Sequence, residues 1–359
     1  MSKVSIIGGG AWGTGLAIVL ARKGTHRVRL WAHESDVCAS INEKHVNQRF
    51  LPGNPIPDSV TASNDVAAVL DGAQIVVSVM PSQHCRALFE RMRPFIDSQT
   101  LIVSATKGIE EGSLLRMTEV IRQILVPNPS GDATPHAGRA PLPADVARSG
   151  NRIGALSGPS FAMEVARGDP TAITIASLDA ALCLAIQQEF SGPTFRLYTN
   201  SDVVGVELGG ALKNIIAIAA GICDGLGLGH NSVAALITRG LAEMTRLVVA
   251  CGGRAETMAG LAGLGDLVLT CTGGLSRNRS VGVELGRGKK LPEIIAGMHG
   301  MVAEGVFTTT AAVGLARARG VEMPITEQMH AILHVGKSPR EAIQYLMMRT
   351  GKSEAGSHV

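Results

Sequence analysis

The stretch VSIIGGGAWGTGLA, from Val4 to Ala17, decides the fold of the N-terminal half of the chain. Its apolar start predicts a strand, and Gly8, Gly10 and Gly13 follow in the spacing G-x-G-x-x-G. At a strand-to-helix junction, the first glycine permits a tight turn, the second lets a pyrophosphate approach the backbone, and the third lets the helix pack closely on the strand. The helix N-terminus attracts phosphate. The stretch therefore predicts a dinucleotide-binding βαβ unit, with an incidental glycine turn as the alternative.

The rest of this half alternates short apolar runs with helical patterns. Continuous apolar strands joined by helices indicate a parallel sheet that is covered on both faces. We therefore predict an α/β Rossmann-type domain with a mostly parallel sheet at residues 1–200. The predicted strands are Val4–Gly8, Val28–Trp31, Ile75–Val79, Leu101–Ala105, Ile153–Leu156, Ala172–Ala176 and Phe195–Tyr198, and the predicted helices include Trp12–Lys23, Gln83–Arg93 and Leu114–Leu125.

From about Asp202 the pattern is helical, which predicts an all-α second domain at residues 201–350. Long helices are expected at Asp202–Ile222 and Ser232–Cys251, and Ser338 carries the signal of a helix cap. The polar tail 351–359 is expected to be disordered. The proline-rich segment 126–152 predicts an exposed insertion, with a functional lid as the alternative.

Composition excludes several classes of protein. The 359 residues favour two domains, and a net charge of +3 with 3% aromatic residues argues against nucleic-acid binding. Six separated cysteines without a CxxC motif predict reduced, mostly buried thiols in a cytosolic protein and no structural metal. A strand begins almost at once, so no signal peptide is expected. Polar residues interrupt the apolar region from Ile215 to Ile237, which predicts buried helices instead of a membrane span.

Two positions near the glycine motif bear on the cofactor. Trp12 lies in the first helical turn, where its side chain either projects toward a bound cofactor or only packs inside the fold. The second strand ends in RLWAHES, which offers His33 and Glu34 where a carboxylate would favour NAD and an arginine would favour NADP. The spacing leaves this choice open.

A second group of residues lies on the helical half. The stretch VVGVELGGALKNIIAIAAGI contains one cation, Lys213, with Gly209, Gly210, Ile216 and Ala217 on the same face. These small residues predict room for a ligand beside the lysine. Burial and neighbouring cations would lower the pKa of Lys213 into the range useful for proton transfer. The alternative is a lysine that snorkels at a helix–helix contact.

Two glycine-rich segments follow it. GLAGLGDLVLTC places Asp266 in an apolar setting, where its carboxylate needs a partner such as Lys213; a helix cap is the alternative. GGLSRNRS places Ser276, Arg277 and Asn278 at a predicted helix start. Hydroxyl, guanidinium, amide and backbone N–H groups suit a phosphate or oxyanion. A solvated basic turn is the alternative there.

The ends of two predicted strands carry further candidates. Lys107 follows the fourth strand, and Gly158 and Ser160 follow the fifth. Ligands of open α/β sheets bind outside the carboxyl ends of the strands. These residues are therefore expected at the same site.

Seven motifs now occur in one order: GGGAWGT, SATKGIE, LSGPSFA, ELGGALKNIIAI, GLGDLVLTCTGGLSRNR, VAEG and EMPITE. Together they resemble the bacterial NAD(P)-dependent glycerol-3-phosphate dehydrogenase family, from Val4 to Leu346. The lysine–asparagine helix and the aspartate and Ser-Arg-Asn segments are specific, whereas the glycine motif alone is not. The segment around Gly131–Ser149 is longer than the resemblance leads us to expect, which affects loop contacts and not the chemistry.

The resemblance implies roles for individual residues. Lys213 is implied as the proton donor and acceptor, and Arg277 as a contact of both substrate and cofactor. No metal ligands are implied. The implied catalytic residues are Lys213, Lys107, Asp266 and Thr270; the implied substrate contacts are Lys107, Gly158, Ser160, Lys213, Asp266, Ser276, Arg277 and Asn278; the cofactor contacts are Gly8, Gly10, Ala11, Trp12, Gly13, His33, Lys107, Ala162, Arg277, Val302 and Glu304.

The implied reaction is reversible hydride transfer between C2 of glycerol 3-phosphate and the nicotinamide of NAD or NADP, with NADPH favoured. The ketone is dihydroxyacetone phosphate, and glycerol 3-phosphate supplies phospholipid synthesis. A cytoplasmic homodimer without an integral membrane segment is expected. Two alternatives remain: another two-domain hydroxy-acid dehydrogenase, against which the Ser-Arg-Asn segment argues, and a non-catalytic cofactor sensor, against which the lysine argues.

Overall fold

The computed structural model describes residues 1–126, 152–298 and 303–351. An eight-stranded sheet forms the N-terminal half, and its strand order is β10-β9-β8-β7-β6-β1-β2-β5. A separate antiparallel pair joins β3 to β4. The strands are β1 (Ser2–Ile7), β2 (His26–Trp31), β3 (Val46–Asn47), β4 (Leu51–Pro55), β5 (Val60–Ser63), β6 (Ile75–Ser78), β7 (Leu101–Ser104), β8 (Arg152–Ser157), β9 (Thr171–Ala176) and β10 (Phe195–Asn200).

The sheet is parallel except where β9 runs antiparallel to β8. Helix α6 (Ala162–Arg167) connects β8 to β9. Strand β10 is parallel to β9. The prediction of a mostly parallel α/β sheet, including its two late strands, is therefore confirmed.

Helices cover both faces of this sheet, and their apolar residues form two separate cores. The helices against one face are α1 (Ala11–Arg22), α2 (Ser35–Lys44), α6 and α7 (Ala180–Phe190); those against the other are α3 (Val66–Leu70), α4 (Cys85–Met92) and α5 (Met117–Leu125).

The sequence analysis missed β3, β4 and β5. These strands are short, and Pro52, Gly53 and Pro55 interrupt the β4 segment, so no apolar alternation marks it. The predicted helix at Gln83–Arg93 begins instead with a 3₁₀ turn at Ser82–His84. The proline-rich insertion lies outside the described residues from 127 to 151, and so does the tail from 352.

The described residues beyond β10 contain helices and no strand, as predicted. Ser338 caps the last helix, and the Glu341 side chain accepts from the Ser338 N–H to complete the capping box. These helices are α8 (Val203–Gly225), α9 (His230–Ala250), α10 (Ala255–Met258), α11 (Asp266–Thr272), α12 (Arg277–Gly286), α13 (Leu291–Ala296), α14 (Glu304–Arg319), α15 (Pro324–His330) and α16 (Pro339–Met347).

Helix α8 is the central helix of this half. It is long and apolar enough to cross a membrane, but nearly all of it is packed inside the protein. The prediction of buried helices from Ile215 to Ile237 is confirmed for α8. It is wrong for the first turns of α9, where residues 231–239 are exposed or half-exposed, because only one side of this segment packs on the core.

Helices α8 and α12 touch through their backbones. A Cβ added at Gly221 of α8 would lie 2.0 Å from the carbonyl oxygen of Arg279, and one at Gly282 of α12 would lie 2.0 Å from that of Ile218. Real Cβ atoms do not approach so closely, so any side chain at either glycine would force the helices apart. The two helices therefore hold their separation without side chains between them.

Candidate active site

Four of the predicted residues form one buried cluster. The Lys107 ammonium donates to Asp266 Oδ2 at 2.6 Å, and Lys213 donates to Asp266 Oδ1. Lys213 also donates to Thr270 Oγ1 at 2.7 Å. The predicted Lys213–Asp266 pair is thus confirmed, and Lys107 joins it from the other half of the chain.

Local structure explains how the cluster is assembled. Lys213 projects from the middle of α8, and Asp266 begins α11 directly after a π-helical turn at Leu261–Gly265. Thr270 lies one turn later, where its hydroxyl donates to the Asp266 carbonyl at 2.6 Å. That donation leaves the Thr270 oxygen as an acceptor for Lys213. The hydroxyl therefore orients the lysine.

Each ammonium keeps one N–H group for a ligand. An ammonium has three donors. Lys213 uses two of them on Asp266 and Thr270, and Lys107 uses two on Asp266 and the Gly158 carbonyl at 3.3 Å. Because both ammonium groups bind the same carboxylate, the two groups lie close together. This arrangement suits an oxygen that gains negative charge.

The cluster sets the pKa of Lys213. The pKa of Lys213 falls from 10.5 to about 7, because burial and the nearby Lys107 charge lower it more than Asp266 raises it. Lys213 is 6% exposed and Asp266 is 1% exposed, so solvent screens these interactions little. An acid–base group is most effective when its pKa lies near the working pH. The predicted lowering of this pKa is confirmed.

The glycines beside Lys213 leave less room than predicted. A Cβ added at Gly209 would lie 2.7 Å from the Ala262 carbonyl oxygen. One added at Gly210 would lie 2.4 Å from Ser157 Oγ and 3.7 Å from Lys107 Cδ. Protein atoms fill most of the expected ligand space. Gly210 instead allows the Ser157 hydroxyl to approach α8 closely.

The turn after β8 lies beside the cluster, as predicted. Gly158 has a φ of +146°, which an L side chain rarely adopts, and its carbonyl accepts from both Lys107 and Ser160. The Ser160 hydroxyl donates at 3.0 Å and is half-buried. Ser160 therefore holds the turn that supports Lys107.

The start of α12 borders the same site. Ser276 caps this helix by accepting from the Arg279 N–H at 3.2 Å. The Asn278 side chain is buried, donates to Asn214 Oδ1 at 3.0 Å and accepts from the Gly305 N–H at 2.9 Å. Asn278 thus joins three helices and keeps one amide N–H for a ligand.

Arg277 and Glu304 lie near each other at the start of α12 and α14. Arg277 is exposed, although surrounding protein atoms lower its pKa; the charge of Glu304 opposes this shift. A group in an open cleft has many protein neighbours and still meets water, so Arg277 remains charged. The Glu304 carboxylate accepts from the Ser82 hydroxyl at 2.8 Å and from the Ser82 N–H at 3.4 Å. Burial raises the pKa of Glu304.

The glycine loop has the geometry of a dinucleotide site. Gly8 has a φ of +131°, and a Cβ there would lie 2.3 Å from the Val79 carbonyl oxygen. A Cβ at Gly13 would lie 1.9 Å from the Gly8 carbonyl oxygen, so α1 packs directly on the loop. Gly10 faces open space and offers no side-chain cap to α1. The first amides of α1 can therefore receive a pyrophosphate.

The other predicted cofactor residues differ in their burial and in their distance from this loop. The Trp12 ring is half-buried against the core, yet its indole N–H has no partner among the described residues. Ala11 begins α1, and Ala162 packs near Gly15 of the same helix. His33 is exposed at the end of β2. Val302 lies outside the described residues.

Sequence reasoning missed three polar residues at this site. Asn214 follows Lys213 and accepts from Asn278, and Ser82 holds Glu304. Asn47 donates to the Gly9 carbonyl and to Thr14, both at 2.8 Å, and so supports the glycine loop. The KN pair was a visible signal for Asn214. No local pattern marks Ser82 or Asn47, because their partners are distant in sequence.

Comparison with protein families matches nearly the whole chain. The model described as NAD-dependent glycerol-3-phosphate dehydrogenase N-terminus matches residues 3–133 and 144–183. The model described as the C-terminus of the same enzyme matches residues 202–344. Both cover the elements that carry the site.

Individual relatives agree with the family models. The chain is 62% identical over 354 residues to glycerol-3-phosphate dehydrogenase (NAD(P)+) of Koribacter versatilis, covering 99% of each chain. It is 55% identical over 357 residues to the Acidobacterium capsulatum protein of the same name, covering 99% of this chain and 100% of the relative. A crystal structure of glycerol-3-phosphate dehydrogenase from Coxiella burnetii has a TM-score of 0.87 and 43% identity, covering 97% and 99% of the chains.

Proposed function

We propose that this chain, which belongs to the NAD-dependent glycerol-3-phosphate dehydrogenase family, catalyses reversible hydride transfer between sn-glycerol 3-phosphate and NAD(P)+, with dihydroxyacetone phosphate as the ketone. The observation that carries the proposal is the buried contact of Lys107 and Lys213 with one carboxylate, Asp266. Such a pair can bind a ketone oxygen and protonate it, as this reaction requires.

Lys213 moves the proton in this scheme. In reduction, its free N–H donates to the substrate oxygen at C2 and the proton passes from Nζ as negative charge develops there. In oxidation, neutral Lys213 accepts the hydroxyl proton, which its pKa of about 7 permits near neutral pH. Lys107 donates its remaining N–H to the same oxygen, and Asp266 keeps both lysines in position.

The glycine loop and α1 support binding of the dinucleotide. Gly10 leaves open space over the first amides of the helix, and the unpartnered indole N–H of Trp12 lies in the same turn. The nicotinamide, when bound, supplies or accepts the hydride. Both NAD(H) and NADP(H) are substrates in this proposal, and NADPH is preferred modestly.

Recognition of the phosphate is assigned to the start of α12. Arg277 is a charged, exposed donor, and Asn278 keeps one amide N–H beside it. A charge-assisted contact to phosphate is typically worth about 1.5–3 kcal/mol. This binding energy positions C2 against Lys213.

Several finer features belong to the same proposal. The dinucleotide-binding domain spans residues 1–200 and the helical catalytic domain residues 201–350. The enzyme acts in the cytoplasm as a homodimer and supplies glycerol 3-phosphate for phospholipid synthesis. Light scattering coupled to size-exclusion chromatography measures the mass in solution, and a monomer would contradict the proposed assembly.

Oxidation of NADPH and NADH by the purified protein tests the activity. We expect turnover with dihydroxyacetone phosphate and at least a hundredfold lower kcat/KM with unphosphorylated dihydroxyacetone, about 2.7 kcal/mol of phosphate binding. Equal use of both ketones would contradict phosphate recognition, and no turnover with either would contradict the assigned reaction. An NADH preference of about a hundredfold would contradict the cofactor preference alone.

A further inference from the structure

Arg277 has a carboxylate nearby and yet does not pair with it. Arg277 and Glu304 begin adjoining helices, because the residues that follow them, Asn278 and Gly305, share a hydrogen bond of 2.9 Å. The Glu304 charge partly opposes the lowering of the Arg277 pKa by burial. Among the described residues, however, the Arg277 side chain forms no ion pair or hydrogen bond. An arginine beside a half-buried carboxylate frequently forms a bidentate pair. Some other contact must therefore hold the carboxylate back.

Ser82 makes that contact. Its hydroxyl donates to Glu304 Oε2 at 2.8 Å and its backbone N–H donates to Oε1 at 3.4 Å, so Ser82 orients both carboxylate oxygens. Ser82 is 1% exposed and follows the carboxyl end of β6, whereas Glu304 begins α14 in the other half of the chain. The contact thus crosses between the two halves.

The backbone next to Lys107 leaves space for this contact. A Cβ added at Gly108 would lie 2.5 Å from Ser82 Oγ and 3.6 Å from Glu304 Oε2. The absence of a side chain at Gly108 therefore lets the serine and the carboxylate meet directly beside the catalytic lysine. Rotation of Ser82 away from Glu304 is restricted by the same close packing.

We propose that Ser82 is a positioning residue that holds the Glu304 carboxylate away from Arg277 and so keeps the Arg277 guanidinium free for the substrate phosphate. The inference rests on the proposed function, because it assigns the phosphate to Arg277. Without the Ser82 hydroxyl, the half-buried carboxylate loses its shorter hydrogen bond and turns to the nearest cation. The phosphate then has to displace Glu304 from Arg277 before it can bind.

Steady-state kinetics of Ser82→Ala test this inference, with dihydroxyacetone phosphate as substrate and NADPH saturating. We expect the KM for the ketone to rise roughly tenfold, the lower end for a charge-assisted contact, and kcat to stay within about threefold of the wild type. Inorganic phosphate should weaken in parallel as a competitive inhibitor. Glu304→Gln carries no competing charge, so adding Ser82→Ala to it should not raise the KM further.

Ser113→Ala is the matched control, because Ser113 donates to Glu110 through the same type of hydrogen bond. It should leave the KM unchanged. If Ser82→Ala does not fold, Ser82→Cys keeps the volume with a weaker donor and should give the same increase. An unchanged KM in the folded variant, or an increase that persists beside Glu304→Gln, would overturn the inference. A wild-type enzyme that ignores dihydroxyacetone phosphate would instead overturn the proposed function.

Discussion

Replacement of Asp266 by asparagine should move the pH dependence of ketone reduction to lower pH. The carboxylate raises the pKa of Lys213 against the effects of burial and of Lys107. Asparagine removes that negative charge and keeps the side-chain size. The pKa of Lys213 should then fall below its value of about 7. Reduction needs protonated Lys213, so its rate should fall at neutral pH and recover as the pH is lowered.

The contact geometry sets the size of this effect. One opposite charge within about 4–6 Å typically shifts a pKa by about 1–3 units, and Asp266 bonds directly to Lys213 while it is almost fully buried. A shift of about 2 units leaves about 1% of Lys213 protonated at pH 7, compared with about half in the wild type. The kcat/KM for reduction should therefore drop roughly 50-fold at pH 7. This figure leaves out the faster proton donation expected from a Lys213 ammonium of lower pKa.

Stopped-flow or steady-state rates between about pH 5 and pH 9 measure the midpoint of kcat/KM for reduction. Asp202→Asn is the matched control, since Asp202 is also buried but caps α8 away from the lysines. Its midpoint should equal that of the wild type. A midpoint for Asp266→Asn that stays in place, or moves upward, would refute the electrostatic role of the carboxylate.

Three further predictions concern other parts of the structure. Lys213→Ala should lower kcat by roughly 10²–10⁴ in both directions while cofactor binding persists, and Lys213→Arg should not restore kcat because a guanidinium stays protonated. The exposed variant Lys44→Ala is the control. A kcat of Lys213→Ala within tenfold of the wild type would assign the proton transfer to Lys107 instead. Gly13→Ala should lower both Tm and cofactor affinity because its Cβ would meet the Gly8 carbonyl, whereas Gly10→Ala should lower only affinity because it faces open space. Thermal unfolding and cofactor fluorescence titration measure the two quantities, and equal losses of Tm in both variants would contradict this prediction. Burial raises the pKa of Glu243 from 4.5 to about 7, so the native state retains a proton that the unfolded chain loses. The free energy of unfolding should therefore fall as the pH rises from about 4.5 to about 7. Urea unfolding of Glu243→Gln should show a weaker pH dependence of that free energy, and the same pH dependence as in the wild type would contradict the assignment.

The sequence predicted the long, regular elements well because their periodicity is local. The glycine spacing after β1 and the apolar run of α8 both depend on neighbours within one or two turns. Short strands such as β4 were not predicted, because Pro52 and Gly53 are typical of a turn and the segment becomes a strand by pairing with the antiparallel strand β3.

The residues of the candidate site likewise fall into those that a local pattern marks and those that it does not. Lys213 stood out as a lone cation on an apolar helix, and Asp266 as a carboxylate among glycines. That Lys107 would bind the same carboxylate was not visible, because residues 107 and 266 meet only through the packing of both halves. Ser82 was hidden for the same reason, and the space at Gly210 was misjudged because Ser157 and Lys107 occupy it.

The backbone contact between α8 and α12 has a consequence for the length of molecule that this site accepts. Lys213 lies on the first helix and Arg277 begins the second, and Gly221 and Gly282 allow no adjustment between them. The span from the proposed proton donor to the proposed phosphate anchor is therefore set by main-chain contact and not by replaceable side chains. A substrate longer by one carbon between its carbonyl and its phosphate cannot be accommodated by enlarging a residue in that contact. The turn at Gly273–Ser276, which precedes α12, is where a change could move Arg277 without separating the helices.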